Sequence, residues 1–254
     1  MLLQPSYVNY SLNNAVATIE FYTSQHNSLP ASILAQLTST IIQANNDDAC
    51  NIIVLKSSGE RTFCAGASFD ELIAIETPEQ GLQFFSGFAN VINAMRKCSK
   101  FIIGRVQGKT IGGGVGLASA CDYTLATKQA SVKLSELAVG IGPFVVGPAV
   151  ERKIGTAAAY ELAIDAANFR TAEWAKQKGL FVEIFDTIAE LDENIDQLAK
   201  HLSTQSPLAM AEIKRAFWSG TDHWDELLIQ RAAISGRLVL SDFTKHFIKE
   251  FKAK

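Results

Sequence analysis

The chain has 254 residues, 48% hydrophobic and 19% charged, with a formal net charge of −3 at pH 7. That size and balance exclude a disordered segment and give one substantial core, as one large domain or a domain with a small appendage. Its slight acidic excess and scattered lysines and arginines argue against a nucleic acid or a membrane surface as the main partner.

The Met1-Leu2-Leu3-Gln4-Pro5 start has no basic region leading into an apolar stretch, so no secretory signal is expected. Residues 7–12 and 15–22 alternate in polarity and predict a hairpin around Asn13-Asn14. Leu29 to Ala44 has helical period, with Pro30 suited to the first turn. The continuous run Asn51-Ile52-Ile53-Val54-Leu55 predicts a strand buried on both faces. Helices are expected over Phe69–Ile75 and Gln80–Cys98, then a second buried strand over Phe101–Val106 and a helix over Gly113–Ala120. Short strands follow at Asp122–Ala126 and Ala130–Leu134. From Ile154 onward nearly everything reads as helix, apart from a strand near Phe181–Phe185. The unit is strand, glycine-rich turn, helix, giving a core over residues 1–190 and a helical region over 191–254.

The four cysteines, Cys50, Cys64, Cys98 and Cys121, form no CxxC pair and have no histidine at metal spacing. Buried free thiols in a reducing, cytoplasmic compartment are the expectation. The longest apolar tract, Leu137–Val150, is too short to span a membrane and is broken by Gly140, Gly142, Pro143 and Gly147. Gly108-Lys109-Thr110 hints at a phosphate loop, but position 103, where another glycine is required, is Ile103. Gly112-x-Gly114 hints at a dinucleotide fingerprint, but its third glycine would fall at Leu117.

Two segments, Phe63-Cys64-Ala65-Gly66-Ala67-Ser68 and Gly112-Gly113-Gly114-Val115-Gly116, each join a buried strand to a helix. The bland account of either is a tight turn with close helix–strand packing. Taken together, two such junctions leave backbone N–H groups unpaired, and if brought together they can hold one oxygen on which negative charge develops. This points to an enzyme acting beside a carbonyl.

These residues resemble a known family. Phe63-Cys64-Ala65-Gly66-Ala67 followed by Phe69-x-Glu71-Leu72, Gly112-Gly113-Gly114 and Ala120-Cys121-Asp122 is similar to the enoyl-CoA hydratase/isomerase (crotonase) superfamily. The likeness runs from His26-Asn27-Ser28-Leu29 to Ala172-x-x-Ala175-x-x-x-Gly179-Leu180, more loosely to the C-terminus. It includes a bacterial branch like methylglutaconyl-CoA hydratase, in Gly-Gly-Gly-Val-Gly-Leu with a later Leu-Ser-Glu. The resemblance implies an α/β spiral of ββα units with a helical C-terminal trimerisation region, assembled as a homotrimer or dimer of trimers. It implies an acyl-CoA substrate and no separate cofactor, coenzyme A being part of the substrate. By motif position, the N–H groups of Ala67 and Gly113 would hold the thioester oxygen, with Gly112 beside them. Ala65, Ala67, Ser68 and Phe69 match the segment lining the CoA moiety, and His26 lies in a turn whose counterpart is near CoA. Ser68 stands where an aspartate is more usual.

Glu136, in Lys133-Leu134-Ser135-Glu136-Leu137, matches the second of two catalytic glutamates of hydratases in the superfamily. Read from the residues alone, it is either a strand-end glutamate, exposed or paired with Lys133, or a carboxyl whose apolar surroundings raise its pKa to a useful range. The first glutamate is missing: its position is Gly116. The usual Pro-Gly-x-Gly-Gly loop is replaced by Gly142-Pro143-Phe144-Val145-Val146-Gly147, so that Phe144 lines the acyl pocket and narrows or redirects it. His201, His223 and His246 read as surface or subunit-contact residues, and Trp174, Trp218 and Trp224 as packing. Lys249 and Lys252 read as a solvated helix end, or as reaching the CoA phosphates of a neighbouring subunit. Overall resemblance favours hydration of a 2-enoyl-CoA, whereas the chemistry of one acid favours 3-enoyl to 2-enoyl isomerisation. Decarboxylation and non-catalytic acyl-CoA binding are the further alternatives.

Overall fold

The computed structural model describes residues 5–252, with side chains through residue 250, so the Met1–Gln4 start and the Lys252 side chain lie outside it. Strands β1 (Tyr7–Asn13) and β2 (Val16–Tyr22) form the expected antiparallel hairpin. It turns one residue later than the sequence suggests, at Asn14 and Ala15, which carry φ of 49° and 62°. The chain then passes through a two-residue strand, β3 (Ser28–Leu29), before α1 (Ala31–Asn46). Leu29 therefore belongs to a strand and not to the helix, and Pro30 precedes the first turn.

The next turn of the spiral supplies β4 (Ile52–Ser57), β5 (Thr62–Cys64), β6 (Gly66–Ala67), the one-turn helix α2 (Phe69–Leu72) and the long α3 (Pro78–Lys97). α2 stops three residues short of the expected Ile75. Thr77 and Gln80 close a reciprocal capping box at the start of α3, which fixes that helix's N-terminus. A further turn gives β7 (Phe101–Val106), β8 (Lys109–Ile111) and α4 (Gly113–Ala120), and the last gives β9 (Tyr123–Thr127) and β10 (Ser131–Lys133). After α5 (Gly147–Ile164) come β11 (Arg170–Thr171), α6 (Ala172–Gln177) and β12 (Glu183–Phe185). Four helices close the chain: α7 (Ile188–Ser203), α8 (Pro207–Phe217), α9 (Trp224–Leu238) and α10 (Asp242–Lys252).

Each turn sends one strand to a six-stranded sheet, ordered β1-β2-β4-β7-β9-β12 and parallel beyond the hairpin. The following short strands go to a four-stranded sheet, β11-β10-β8-β5, or to the pair β3-β6. The side chains of β4 explain the continuous apolar run. Ile53 and Leu55 face the main core with α1 and α3, whereas Ile52 and Val54 join Ile103, Leu125 and the α7 residues Leu191, Ile195 and Ala199 on the other face.

The C-terminal helices fold back on this core. α9 crosses α3 so closely that a methyl group on Gly81 would sit 2.6 Å from Gly236 Cα. α8 is anchored through Asp122, whose carboxylate accepts from the Ile102 amide (2.8 Å) and Trp218 Nε1 (2.9 Å) and pairs with Lys214 at 2.8 Å. Lys214 is 2% exposed, so this is a fully desolvated cation satisfied by Asp122 and the Lys100 carbonyl. Trp218 and Trp224 meet edge to face in the core and Trp174 packs at its margin, as their helical spacing suggests. All four cysteines are buried and free. Among the described residues no helix is long and apolar enough to cross a membrane, and no cluster of three metal-ligating side chains occurs.

Candidate active site

The β5–β6 corner and the start of α4 are neighbours. Gly66 has φ +92°, and a methyl group there would lie 3.1 Å from the Ile111 carbonyl oxygen and 3.5 Å from the Gly113 amide nitrogen. The amides flanking Ala67 are engaged: Gly66 N donates to Cys64 Sγ (3.4 Å) and Ser68 N to the Leu29 carbonyl (3.0 Å). At the other junction Gly112 takes φ +51°, a left-handed conformation that a side chain disfavours, and its amide donates to the Lys133 carbonyl at 2.8 Å. Its carbonyl accepts the first helical bonds, from Val115 and Gly116, so the amides of Gly113 and Gly114 are first-turn donors with no acceptor inside α4.

Both junctions open into one cavity of about 190 Å³. Ala65, Ala67, Phe69, Gly112, Gly113, Glu136 and Phe144, all singled out from the sequence, line it together. Two others do not. Ser68 is buried, and its hydroxyl caps α2 by accepting from the Glu71 amide at 3.4 Å. The Ser-x-x-Glu spacing already carried that signal. His26 is exposed in the turn before β3, outside the lining. Lys249 is exposed on α10 and His246 pairs with Glu250 at 3.1 Å.

The rest of the wall is mostly apolar: Leu72, Phe85, Phe88, Val139, Ile141, Val145 and Val146, with Ser135 and Ser235 as the other polar side chains. The sequence reading missed these residues. The spacing of Phe84, Phe85 and Phe88 on one helix, and a serine among the buried residues of α9, were the available signals.

Glu136 lies three residues beyond β10, where it opens a 3₁₀ turn, Glu136–Val139, and not at the strand end itself. Its residue surface is partly open, but Oε2 is buried and has no hydrogen-bond partner among the described residues. Oε1 lies 3.0 Å from where a methyl group on Gly112 would stand, so the carboxyl group sits against the entrance of α4. Lys133 does not neutralise it: the ammonium stands over the Phe169 ring, 4.5 Å from its centroid. Burial pushes the Glu136 carboxyl up to about 7, opposed only by a hydrogen bond to its own backbone amide. The turn is held by the Ile141 amide donating to the Glu136 carbonyl at 2.9 Å and by Gly140, against which Phe243 and Thr244 of α10 pack.

The position of the missing first carboxylate is closed. A methyl group on Gly116 would lie 2.5 Å from Val146 Cγ1 and 3.5 Å from Ile92 Cδ1. Among the described residues, Glu136 is the one carboxylate on the cavity wall. The site thus combines one carboxyl group with no charged partner among the described residues, a pair of backbone corners and a mostly apolar lining.

Comparison with known proteins accords with this architecture. The family described as Enoyl-CoA hydratase/isomerase matches residues 11–250. The chain is 31% identical over 200 residues to rat mitochondrial methylglutaconyl-CoA hydratase, covering 77% of this chain and 63% of the relative. It is 29% identical over 206 residues to the peroxisomal Delta(3,5)-Delta(2,4)-dienoyl-CoA isomerase of Arabidopsis thaliana, covering 75% and 72%. The solved enoyl-CoA hydratase of Bacillus halodurans shares the fold, with a TM-score of 0.89 at 22% identity over 96% of this chain and 100% of that one. With a family match spanning nearly all of the spiral and its helical end, the chain belongs to the enoyl-CoA hydratase/isomerase family.

Proposed function

We propose that the cavity binds the thioester end of an acyl-CoA and that the protein isomerises a 3-enoyl-CoA to a 2-enoyl-CoA. In this reading the amides of Ala67 and Gly113 donate to the thioester oxygen. Glu136, as carboxylate, removes a proton from the α-carbon while electrons flow onto that oxygen to give a dienolate. The protonated Glu136 then returns the proton to the γ-carbon, the carbonyl re-forms and the double bond lies between the α- and β-carbons. One acid suffices, because the same proton leaves and returns. Each well-aimed amide is worth roughly 2.7–4 kcal/mol in such a site, and a carboxyl near 7 is suited to give and take protons at neutral pH.

The observation that carries this choice is the closed first-acid position, where Val146 lies against Gly116. Hydration of a 2-enoyl-CoA is the second reading, favoured by the hydratase names among the relatives and by Ser135 and Ser235, whose hydroxyls could hold a water. There Glu136 would take a proton from water as hydroxide adds to the β-carbon, and deliver it to the α-carbon. Incubating the purified protein with 3-hexenoyl-CoA and with crotonyl-CoA in parallel tests both. Conjugation of the first, with little hydration of the second, is expected. Hydration alone would transfer the assignment to the second reading, and inertness toward both would leave acyl-CoA binding without catalysis.

A further inference from the structure

The cavity stops at the Gly142-Pro143-Phe144 corner, and a second cavity begins on the other side of it. Pro143 and Phe144 belong to the walls of both. The second space, about 310 Å³, lies over α5 and is lined by Leu134, Val150, Tyr160 and Ala163 together with the polar Glu151, Thr156 and Arg231. It reaches the surface beside Tyr160, which is 63% exposed. The Phe144 ring rests on Gly142: a methyl group at that position would stand 2.5 Å from Cε2 and 2.8 Å from Cζ. Residue 142 therefore leaves the ring its place, and the ring is only half-buried because both of its sides face open space.

We infer that Phe144 is the residue that sets acyl-chain length, acting as a partition that confines the substrate to a short chain. The inference rests on the acyl-CoA reading given above and extends it to a substrate class. At about 190 Å³ the catalytic cavity is smaller than the ~300–1,000 Å³ pockets that hold drug-sized ligands. A longer tail would pass through the position of the Phe144 ring into the second cavity.

The test compares the wild type with Phe144→Ala and, as a milder change, Phe144→Leu. Dissociation constants for hexanoyl-CoA and decanoyl-CoA are measured by calorimetry, alongside turnover of 3-hexenoyl-CoA and 3-decenoyl-CoA and the melting temperature of each protein. The wild type should bind decanoyl-CoA no better than hexanoyl-CoA. Phe144→Ala should raise the decanoyl-to-hexanoyl affinity ratio about tenfold, through the extra methylenes that the longer chain buries, while hexanoyl-CoA itself loses the contact of the ring. Phe144→Leu should fall between, which keeps the test decisive if the alanine variant is unstable. A wild type that already prefers decanoyl-CoA, or truncations that gain nothing for it, would overturn the inference. Intact binding selectivity without turnover would sink the isomerase reading and leave the partition standing, whereas failure to bind either thioester would remove both.

Discussion

Replacing Glu136 with glutamine should raise stability while it removes activity. The folded state holds this carboxyl at about 7 against an ordinary 4.5, because Oε2 is buried and, among the described residues, has no hydrogen-bond partner and no facing cation. At 1.36 kcal/mol per tenfold, that difference corresponds to roughly 3 kcal/mol of selective disfavour for the anion. The folded pKa lies above the unfolded one, so the favourable contribution of the neutral acid is complete below about pH 4.5. It is lost as pH rises through about 7. A neutral glutamine escapes that loss. Thermal unfolding of wild type and E136Q between pH 4.5 and 8.5 should show melting curves that converge at the acid end. At pH 8 the variant should be higher by several degrees, taking ~2–4 °C per kcal/mol for a chain of this size. Turnover of 3-hexenoyl-CoA should meanwhile fall by about 10²–10⁴. A melting difference that does not vary with pH, or a wild type more stable than E136Q at pH 8, would refute the claim that the Glu136 carboxyl is buried without compensation.

Further outcomes follow from other contacts. The wild-type kcat/KM for isomerisation should rise with pH and level off near 7, the carboxylate being the base; a flat profile from pH 5 to 8 would assign the proton transfer elsewhere. Gly113→Ala drives a methyl group to 2.2 Å from the Phe88 ring, so it should cost about 1–3 kcal/mol in denaturant unfolding, and Phe88→Leu should recover part of it. Gly116→Glu should be poorly folded alone, whereas pairing it with Val146→Gly removes both clashing atoms, Cγ1 at 2.5 Å and Cβ at 2.8 Å, and opens space for the second acid; hydration of crotonyl-CoA should rise in the double variant relative to wild type. Lys214→Met leaves Asp122 without its buried partner and should destabilise by about 3–5 kcal/mol, measured by urea titration.

Long elements were legible because their patterns are physical necessities. β4 and β7 are parallel strands covered on both faces and so read as unbroken apolar runs. The Thr77–Gln80 box that starts α3 went unread, the helix being expected only from Gln80. The strands β3, β5, β6, β8 and β11 went unseen, because two or three residues cannot display an alternation. The stacking of successive spiral turns specifies them instead. At the site, two glycine segments and an acid before an apolar tract pointed to one place, and the cavity brings them together. What the sequence could not supply were pairings across long separations: Phe169 taking Lys133 away from Glu136, and Val146 filling the space beside Gly116. Ser68 and His26 sat in the right segments, but a residue's place in a motif does not determine whether it reaches the cavity.

The packing of α10 on the Glu136 turn has a consequence for the order in which this molecule matures. Phe243 and Thr244 press on Gly140, and Leu240 and Ile248 join Val139 and Ile141 in one apolar cluster. The six-stranded sheet is complete at Phe185, well before these residues in chain order. A chain folding from its N-terminal side can thus complete its sheets first, and the Glu136 turn gains its α10 cover only when that helix docks.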